Sequence, residues 1–205
     1  MPFMSKEGYP FLIPSAVRAS FFFWFGSDWG GILFLALTLL VGFFFRDPNR
    51  SIPADETAVV SPADGKVVKI STESDGTTCV SIFLSVFNVH VNRSPIAGKV
   101  ESIRYVPGKF KVAFDERASR ENEQNVWVID NDSQKVRFSQ IAGLLARRIV
   151  CWKKTGDRVG KGERIGLIKF GSRVDIFLPK NVTLEVALGD KVKGGNSVIG
   201  RFDHV

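Results

Sequence analysis

Three side chains in this sequence could together activate a nucleophile: Asp64, His90 and Ser172. A serine needs a nearby base to lose its proton as it attacks, and an imidazole base needs a carboxylate to fix its tautomer and stabilise its cation. Each of the three stands beside a predicted turn or strand end. Their spacing does not by itself bring them together, and Asp-Gly turns and single structural histidines are common. The residue types therefore leave structural roles open.

The surroundings of Ser172 argue against a serine hydrolase. The sequence has no Gly-x-Ser-x-Gly elbow, and Ser172 is predicted to lie between two strands rather than before a helix. Gly171 points to other chemistry, because glycine permits strained backbone geometry and open approach to its carbonyl. Ser172 could attack that carbonyl in an N-to-O acyl shift, producing an ester that elimination can break. The structural alternative is a β-bulge.

The elements that would position these residues are mostly strands. After Arg50 the sequence consists of short β-type runs separated by Gly, Pro, Asn and Asp, which predicts a mainly β fold. A short helix is predicted over residues 110–120. The predicted strands cover residues 66–70, 78–84, 99–105, 126–130, 136–141, 149–152, 165–170, 174–178 and 183–186.

An internal repeat sharpens this architecture. The phrase Gly-Asp-x-Val at residues 156–159 recurs at 189–192, and each copy is followed by a glycine and an Ile-Gly pair. Two upstream phrases, at 61–67 and 94–100, each join a Pro-containing turn to a glycine and a strand. These repeats predict a compact β domain with lipoyl- or biotinyl-like halves, in the manner of a barrel sandwich.

The N-terminal segment is membrane-directed. Between Arg18 and Arg46 the only charged residue is Asp28, and aromatic and aliphatic residues dominate. Two geometries remain open: one helix spanning from about Phe21 to Phe45, or a helical hairpin that dips into one leaflet. A buried core helix of a soluble protein or a cleavable signal peptide fits less well. We therefore divide the chain into a membrane-associated segment, residues 1–46, and a β domain, residues 47–205.

The overall charge favours an anionic partner. Lys and Arg outnumber Asp and Glu by 28 to 21, which gives a net charge of +7. Nucleic acid is disfavoured because the positive charges are spread along the chain without an aromatic-basic motif. Cys79 and Cys151 are predicted to be buried, reduced thiols, and no metal site is indicated. Because His204 stands at the terminus, histidine chemistry falls to His90.

Six motifs, in order, make the chain resemble the short bacterial class of phosphatidylserine decarboxylase proenzymes. The resemblance covers nearly everything after Arg46. The motifs are Phe-Arg-Asp-Pro at 45–48, Ser-Pro-Ala-Asp-Gly at 61–65, Asn-Val-His-Val-Asn-Arg at 88–93, Pro-Gly-Lys-Phe at 107–110, Glu-Asn-Glu-Gln-Asn at 121–125 and Phe-Gly-Ser-Arg-Val-Asp at 170–175.

The resemblance implies a pyruvoyl-dependent carboxy-lyase that matures by cutting itself between Gly171 and Ser172. Ser172 would become a covalent pyruvoyl group at the start of an α chain, residues 172–205, which pairs with a β chain, residues 1–171, as a heterodimer or a higher oligomer. His90 would act as base toward the Ser172 hydroxyl, with Asp64 orienting it. The pyruvoyl ketone would form a Schiff base with phosphatidylserine and serve as electron sink, and His90 would return the proton.

The same resemblance implies synthesis of phosphatidylethanolamine at an anionic cell membrane. We expect peripheral or monotopic attachment with the catalytic domain on the cytoplasmic face. Four positions depart from family patterns: Phe87, Gln124, Phe170 and Arg173 stand where some members carry His, Arg, Leu and Thr. The arginines that could contact the lipid phosphate are Arg46, Arg50, Arg93, Arg104 and Arg173.

The alternative function is that of a membrane-anchored adaptor, in which a lipoyl-like module binds partners without catalysis. Such adaptors usually carry a long coiled-coil hairpin, and no heptad run is present here. The decarboxylase is therefore the favoured interpretation.

Overall fold

A computed structural model describes residues 3–109, 121–143, 148–169 and 171–203. It divides into two compact units, Met1–Asn49 and Arg50–Val205. The helix predicted over residues 110–120 lies outside the described residues, as does Phe170.

The first unit is a helical hairpin. After a 3-10 helix, Lys6–Gly8, come α1, Tyr9–Trp24, and α2, Asp28–Phe44. The chain reverses between them at Gly26, whose φ of +74° favours glycine. The predicted single helix from about Phe21 to Phe45 is therefore wrong, and the hairpin alternative is the form adopted. Among the described residues, no helix combines the length and apolar character needed to cross a membrane.

Aromatic side chains hold the two helices together. The rings of Phe22 and Phe34 stack with centroids 5.4 Å apart, and those of Phe11 and Phe45 stack at 5.9 Å. The outer surface of the hairpin is also apolar. Its exposed large hydrophobic side chains include Phe3, Tyr9, Phe11, Ile13, Val17, Phe21, Phe23, Trp24, Phe25, Trp29, Ile32, Leu33, Leu35, Leu37, Leu39, Leu40 and Phe43.

The second unit is built from short antiparallel strands. The strands are β1 Ala58–Val60, β2 Gly65–Thr72, β3 Thr78–Leu84, β4 Val91–Arg93, β5 Gly98–Val106, β6 Gln124–Asp130, β7 Lys135–Ala142, β8 Ile149–Cys151, β9 Arg158–Val159, β10 Arg164–Ile168, β11 Ser172–Leu178, β12 Val182–Leu184, β13 Lys191–Val192 and β14 Val198–Phe202. They form an eight-stranded sheet, in the order β13-β2-β3-β11-β7-β6-β5-β9, and two three-stranded sheets, β1-β14-β12 and β4-β10-β8.

The mainly β prediction is confirmed, and each of the nine predicted strands corresponds to an observed one. The sheets are open rather than closed into a barrel. The sequence analysis missed β1, β4, β9, β13 and β14. These strands have five residues or fewer, and β1 and β4 are buried along their whole length, so they carry little of the alternation that identifies a half-exposed strand.

The internal repeat occupies equivalent positions at the two edges of the large sheet. In β2 and β13, Lys66 pairs with Lys191. In β5 and β9, Lys99 pairs with Arg158 in the same relation to the preceding glycine turn. The Gly-Asp turns at 156–159 and 189–192 thus place one short edge strand on each side. This equivalence gives the fold two comparable corners with different side chains.

The cysteine prediction is half right. Cys79 is buried in β3, whereas Cys151 is exposed at the end of β8. Cys151 lies on an edge strand of a small sheet, because only β10 pairs with β8 among the described strands. An apolar sequence neighbourhood therefore did not imply burial at that position.

Candidate active site

Ser172 is the first residue of the central strand β11. It pairs with Leu84 of β3 on one side and Ala142 of β7 on the other. The prediction that Ser172 lies in the sequence gap between two successive strands is therefore wrong. Strand β11 begins at Ser172 itself, because β3 and β7 both extend far enough to pair with it. The described pairs of β11 contain no register shift, so the ladder starts regularly at Ser172.

The side chain of Ser172 lies on the core face of β11. It shares that face with Val174 and Ile176, and all three are 0% exposed. Its Oγ atom has no hydrogen-bond partner among the described residues. Burying a hydroxyl without a partner costs about 1–3 kcal/mol, and such atoms in native proteins often mark functional positions. Ser172 therefore stands out from a serine that serves only packing.

Gly171 adopts backbone geometry that favours glycine. Its φ is +48°, in the left-handed region, where other residues pay about 1–2 kcal/mol. Among the described residues other than its chain neighbours, none has an atom within 4 Å of the position that a Cβ would occupy. Conformation rather than close packing thus explains glycine here.

His90 is buried directly before β4 and is oriented by the backbone. Its Nδ1 atom lies 2.9 Å from the carbonyl oxygen of Asn88, and the residue is 2% exposed. Because a carbonyl can only accept, Nδ1 carries the hydrogen, and the neutral ring has its lone pair on Nε2. The Oδ1 atom of Asn88 in turn accepts from the backbone N–H and the hydroxyl of Ser85, at 2.9 and 2.7 Å.

His90 and Ser172 lie in neighbouring segments of the chain. The carbonyl oxygen of His90 accepts a hydrogen bond from Ile168 N–H at 3.3 Å, four residues before Ser172. In the other direction, Leu84 pairs with Ser172 six residues before His90. That the side chains of the predicted base and the predicted nucleophile meet stays a prediction.

Asp64 is bound by other groups. Its two carboxylate oxygens accept hydrogen bonds from Nη2 of Arg50 at 2.9 and 2.8 Å, and Oδ1 also accepts from Gly194 N–H at 2.8 Å. The Asn88 carbonyl orients the His90 ring at Nδ1. The predicted role of Asp64 in orienting His90 stays a prediction. Asp64 connects the segment before β2 with the turn after β13.

Asp64 and Asn88 nevertheless line one cleft of about 480 Å³. The two candidate residues Asp64 and His90 are therefore close to the same cleft, Asp64 directly and His90 through the carbonyl that holds its ring. The lining residues are Asp64, Gly65, Lys66, Phe83, Ser85, Asn88, Lys191, Val192 and Lys193.

Two further arginines considered for the lipid phosphate are, like Arg50, already bound inside the domain. Buried Arg173 pairs with Asp175, Nε to Oδ1 at 2.6 Å, and Nη2 donates to Ser81 Oγ at 2.6 Å. Buried Arg93 donates from Nη1 to the carbonyl of Gly162 at 2.9 Å. Alternation in β11 points Arg173 away from the Ser172 face. The interpretation as phosphate contacts is wrong for these two residues.

Sequence reasoning missed Asn88, which holds His90, and the role of Arg50 as partner of Asp64. A signal was present for Asn88, since an Asn two residues before a candidate histidine is typical of a tight turn. No local signal could pair Arg50 with Asp64.

Comparison with known proteins identifies the family. A sequence model described as phosphatidylserine decarboxylase matches residues 37–200. The chain belongs to the phosphatidylserine decarboxylase family. Phosphatidylserine decarboxylase proenzymes similar to it include those of Syntrophus aciditrophicus, 45% identical over 98% of both chains, and Geotalea uraniireducens, 46% identical over 96% of this chain and 95% of the relative. That of Chlorobium chlorochromatii is 51% identical over 83% of this chain and 82% of the relative.

Membership of the phosphatidylserine decarboxylase family confirms the resemblance found in the motifs and, with it, the prediction of a carboxy-lyase. The match to the family includes Asp64, His90, Gly171 and Ser172. The adaptor alternative is not favoured.

Proposed function

We propose that this protein cuts itself between Gly171 and Ser172 and then decarboxylates phosphatidylserine to phosphatidylethanolamine with a pyruvoyl group made from Ser172. One observation carries the proposal in a chain of this family: a buried Ser172 hydroxyl without a hydrogen-bond partner among the described residues directly follows a glycine in the left-handed region.

Self-cleavage begins with attack of Ser172 Oγ on the carbonyl carbon of Gly171. His90 accepts the hydroxyl proton at Nε2, and the peptide nitrogen leaves as an amine, so that an ester replaces the amide. Loss of the Ser172 α-proton then breaks the ester, giving a Gly171 carboxylate and a dehydroalanine. Tautomerisation and hydrolysis consume one water, release ammonia and leave the pyruvoyl group.

The residues present fit that group. It would replace a side chain that makes no hydrogen bond with the described residues, and the chain break would come at a glycine whose φ lies in the left-handed region. When present, the group supplies a carbonyl that accepts the electrons left by departing carbon dioxide. The side chains at β11 exclude water on the core face, and His90 holds a proton for return to the substrate carbon.

The two chains formed by cleavage would remain associated. Strand β11 at the start of the α chain pairs on both sides with strands of the β chain. Gly194 of the α chain also donates to Asp64 of the β chain. These contacts support a stable heterodimer without any further link.

The helical hairpin supports action at a lipid surface. Trp24 and Trp29, on either side of the turn, are each 86% exposed, in a unit whose outer surface is mainly apolar. Soluble proteins rarely expose such continuous apolar surface unless it binds something. With the net charge of +7, this favours attachment to an anionic membrane, where phosphatidylserine is present.

Release of carbon dioxide tests the function. Purified protein should release labelled carbon dioxide from phosphatidylserine labelled in its carboxyl carbon and form phosphatidylethanolamine in equal amount. Ser172→Ala should remain one chain and release none. Ser139→Ala, at another buried strand serine, should remain active. Release by the Ser172→Ala protein at the wild-type rate would reject the proposal.

A further inference from the structure

Three lysines surround the cleft beside Asp64 without a charge partner. Lys66, Lys191 and Lys193 are exposed at its rim, and their ammonium groups form no hydrogen bond or ion pair with any described residue. The carboxylate in the cleft, Asp64, is already paired with Arg50 at 2.8 Å. The cleft therefore carries uncompensated positive charge, which favours an anionic ligand.

The opposite edge of the sheet shows that this charge does not follow from the fold. There Lys99 is equivalent to Lys66 and pairs across the strands with Asp130, whereas Lys66 pairs with Phe83. A cleft of about 320 Å³ at that edge is lined by Lys99 together with three acidic side chains, those of Glu101, Asp130 and Asp132. Lys99 helps to lower the pKa of Asp130, mainly held down by the hydrogen bond from Lys135.

Two further differences separate the corners. Following the same pairing, the residue equivalent to Lys193 is Gly160, and the residue equivalent to Asp64 is Ala97. Only the corner that holds Asp64 thus has the third lysine.

The basic cleft adjoins the turn that holds His90. Asn88, in its lining, holds the ring of His90. Ser85, also in its lining, directly follows Leu84, which pairs with Ser172. The cleft therefore adjoins the segment that orients the predicted base and the end of the strand that pairs with Ser172.

We propose that this cleft binds the phosphodiester of the lipid head group through Lys66, Lys191 and Lys193. The proposal rests on the function proposed above. Lysine is a suitable point charge for phosphate, and its flexible stem suits a ligand that must also leave as product. One ester oxygen and two carbons join the phosphate to the serine amine, so a phosphate held in the cleft leaves the amine within a few bonds of it.

The carboxylate of the head group is a poorer ligand for these lysines. Cations around that carboxylate would stabilise the ground state, in which the charge is present, more than the transition state, in which it disperses toward carbon dioxide. Catalysis is therefore served when the lysines hold the phosphate, whose charge stays constant through the reaction.

Binding of glycerophosphoethanolamine, the product head group without acyl chains, tests the cleft directly. Its dissociation constant for the purified protein is measured by calorimetry, with free ethanolamine as the comparison lacking phosphate. The variant is Lys66→Gln with Lys191→Gln. The matched control is Lys99→Gln with Arg158→Gln, which removes two positive charges from the equivalent positions of the other edge.

We expect the cleft variant to bind glycerophosphoethanolamine about tenfold or more weakly, as loss of charge-assisted contacts predicts, and the control to bind it within about twofold of wild type. In neutral detergent micelles, KM for phosphatidylserine should rise in the cleft variant more than kcat falls. Self-cleavage should continue in both variants.

Three results would overturn the proposal: no binding by wild type, equal affinity in wild type and cleft variant, or equal loss in the two variants, which would indicate only general surface charge. Failure of the proposed function has another signature, namely wild-type protein that neither cuts itself nor releases carbon dioxide. The calorimetric measurement requires no turnover, so it decides on the cleft in that case as well.

Discussion

The Nδ1 atom of His90 lies 2.9 Å from the backbone carbonyl oxygen of Asn88, which makes a main-chain group the element that orients the predicted base. This carbonyl is fixed by the Asn88 side chain, which accepts two hydrogen bonds from Ser85. The turn from Ser85 to Asn88 therefore holds the Nδ1 side of the His90 ring.

Loosening that turn should slow self-cleavage. Asn88→Ala removes both hydrogen bonds to the Asn88 side chain and should slow the cut by about tenfold, the effect of losing roughly 1.4 kcal/mol of positioning. Ser85→Ala keeps the bond from its backbone N–H and should have a smaller effect. His90→Ala, which removes the predicted base itself, should slow the cut most, by about 10²–10⁴-fold. Appearance of the α chain on gels over time gives the rates, and wild-type rates in Asn88→Ala would contradict this role.

Replacing Gly171 should slow the cut through its backbone. Alanine in the left-handed region costs about 1–2 kcal/mol, so Gly171→Ala should favour a negative φ that turns the carbonyl away from Ser172. We expect cleavage to be slower by about tenfold. Gly160→Ala is the control, since its Cβ would meet only Glu163 Oε2 at 3.6 Å. If the two alanine variants cut equally fast, the conformation of Gly171 is not important.

The pair of Arg50 and Asp64 should matter for stability. Their side chains are 11% and 13% exposed, so Asp64→Asn leaves a largely buried guanidinium unpaired. In the uncut Ser172→Ala background, we expect a loss of about 3 kcal/mol in the free energy of unfolding, measured with denaturant. Glu101→Gln, which breaks an exposed pair with Lys135, should cost less than about 1 kcal/mol. Similar losses in the two variants would show that burial of the Asp64 pair has no special importance.

The two thiols should differ in reactivity. Burial raises the pKa of the Cys79 thiol to about 12. Partial desolvation also raises the pKa of the Cys151 thiol, although that residue is exposed at the end of β8. Because alkylation requires the thiolate, raised pKa values slow both reactions near neutral pH, and rates increase with pH. Iodoacetamide should modify only Cys151 in the native protein and both cysteines in denaturant, as read by peptide mass. If the folded Cys151→Ser variant still takes up label, Cys79 must be accessible, and this result would contradict its burial.

Much of the fold was predictable because its longer strands have readable patterns. Strand β3, Thr78–Leu84, was predicted with the same bounds, since a β-rich run ends there at polar turns on both sides. Strands β9 and β13 were missed because two residues cannot show alternation. In the hairpin, the glycine-containing break was visible, but only the observed φ of Gly26 distinguishes a reversal from a continuous helix.

The site was predictable in its residue types and only partly in its contacts. Ser172, Gly171 and His90 were found from chemistry and motif. The partner of Asp64 was not, because Arg50 and Gly194 reach it through the folded chain. Arg173 was considered for the lipid phosphate although strand alternation places it on the face opposite Ser172, where it pairs with Asp175. Such pairings depend on register, which the sequence does not display.

The mass of the purified protein tests the central claim most directly. Intact-protein mass spectrometry should find two chains, one ending at Gly171 and one starting at the position of Ser172, whose N-terminus lacks an amine and resists sequencing. Ser172→Ala should give a single chain. A wild-type protein that remains one intact chain of 22.7 kDa, with no conversion over time, would contradict the account.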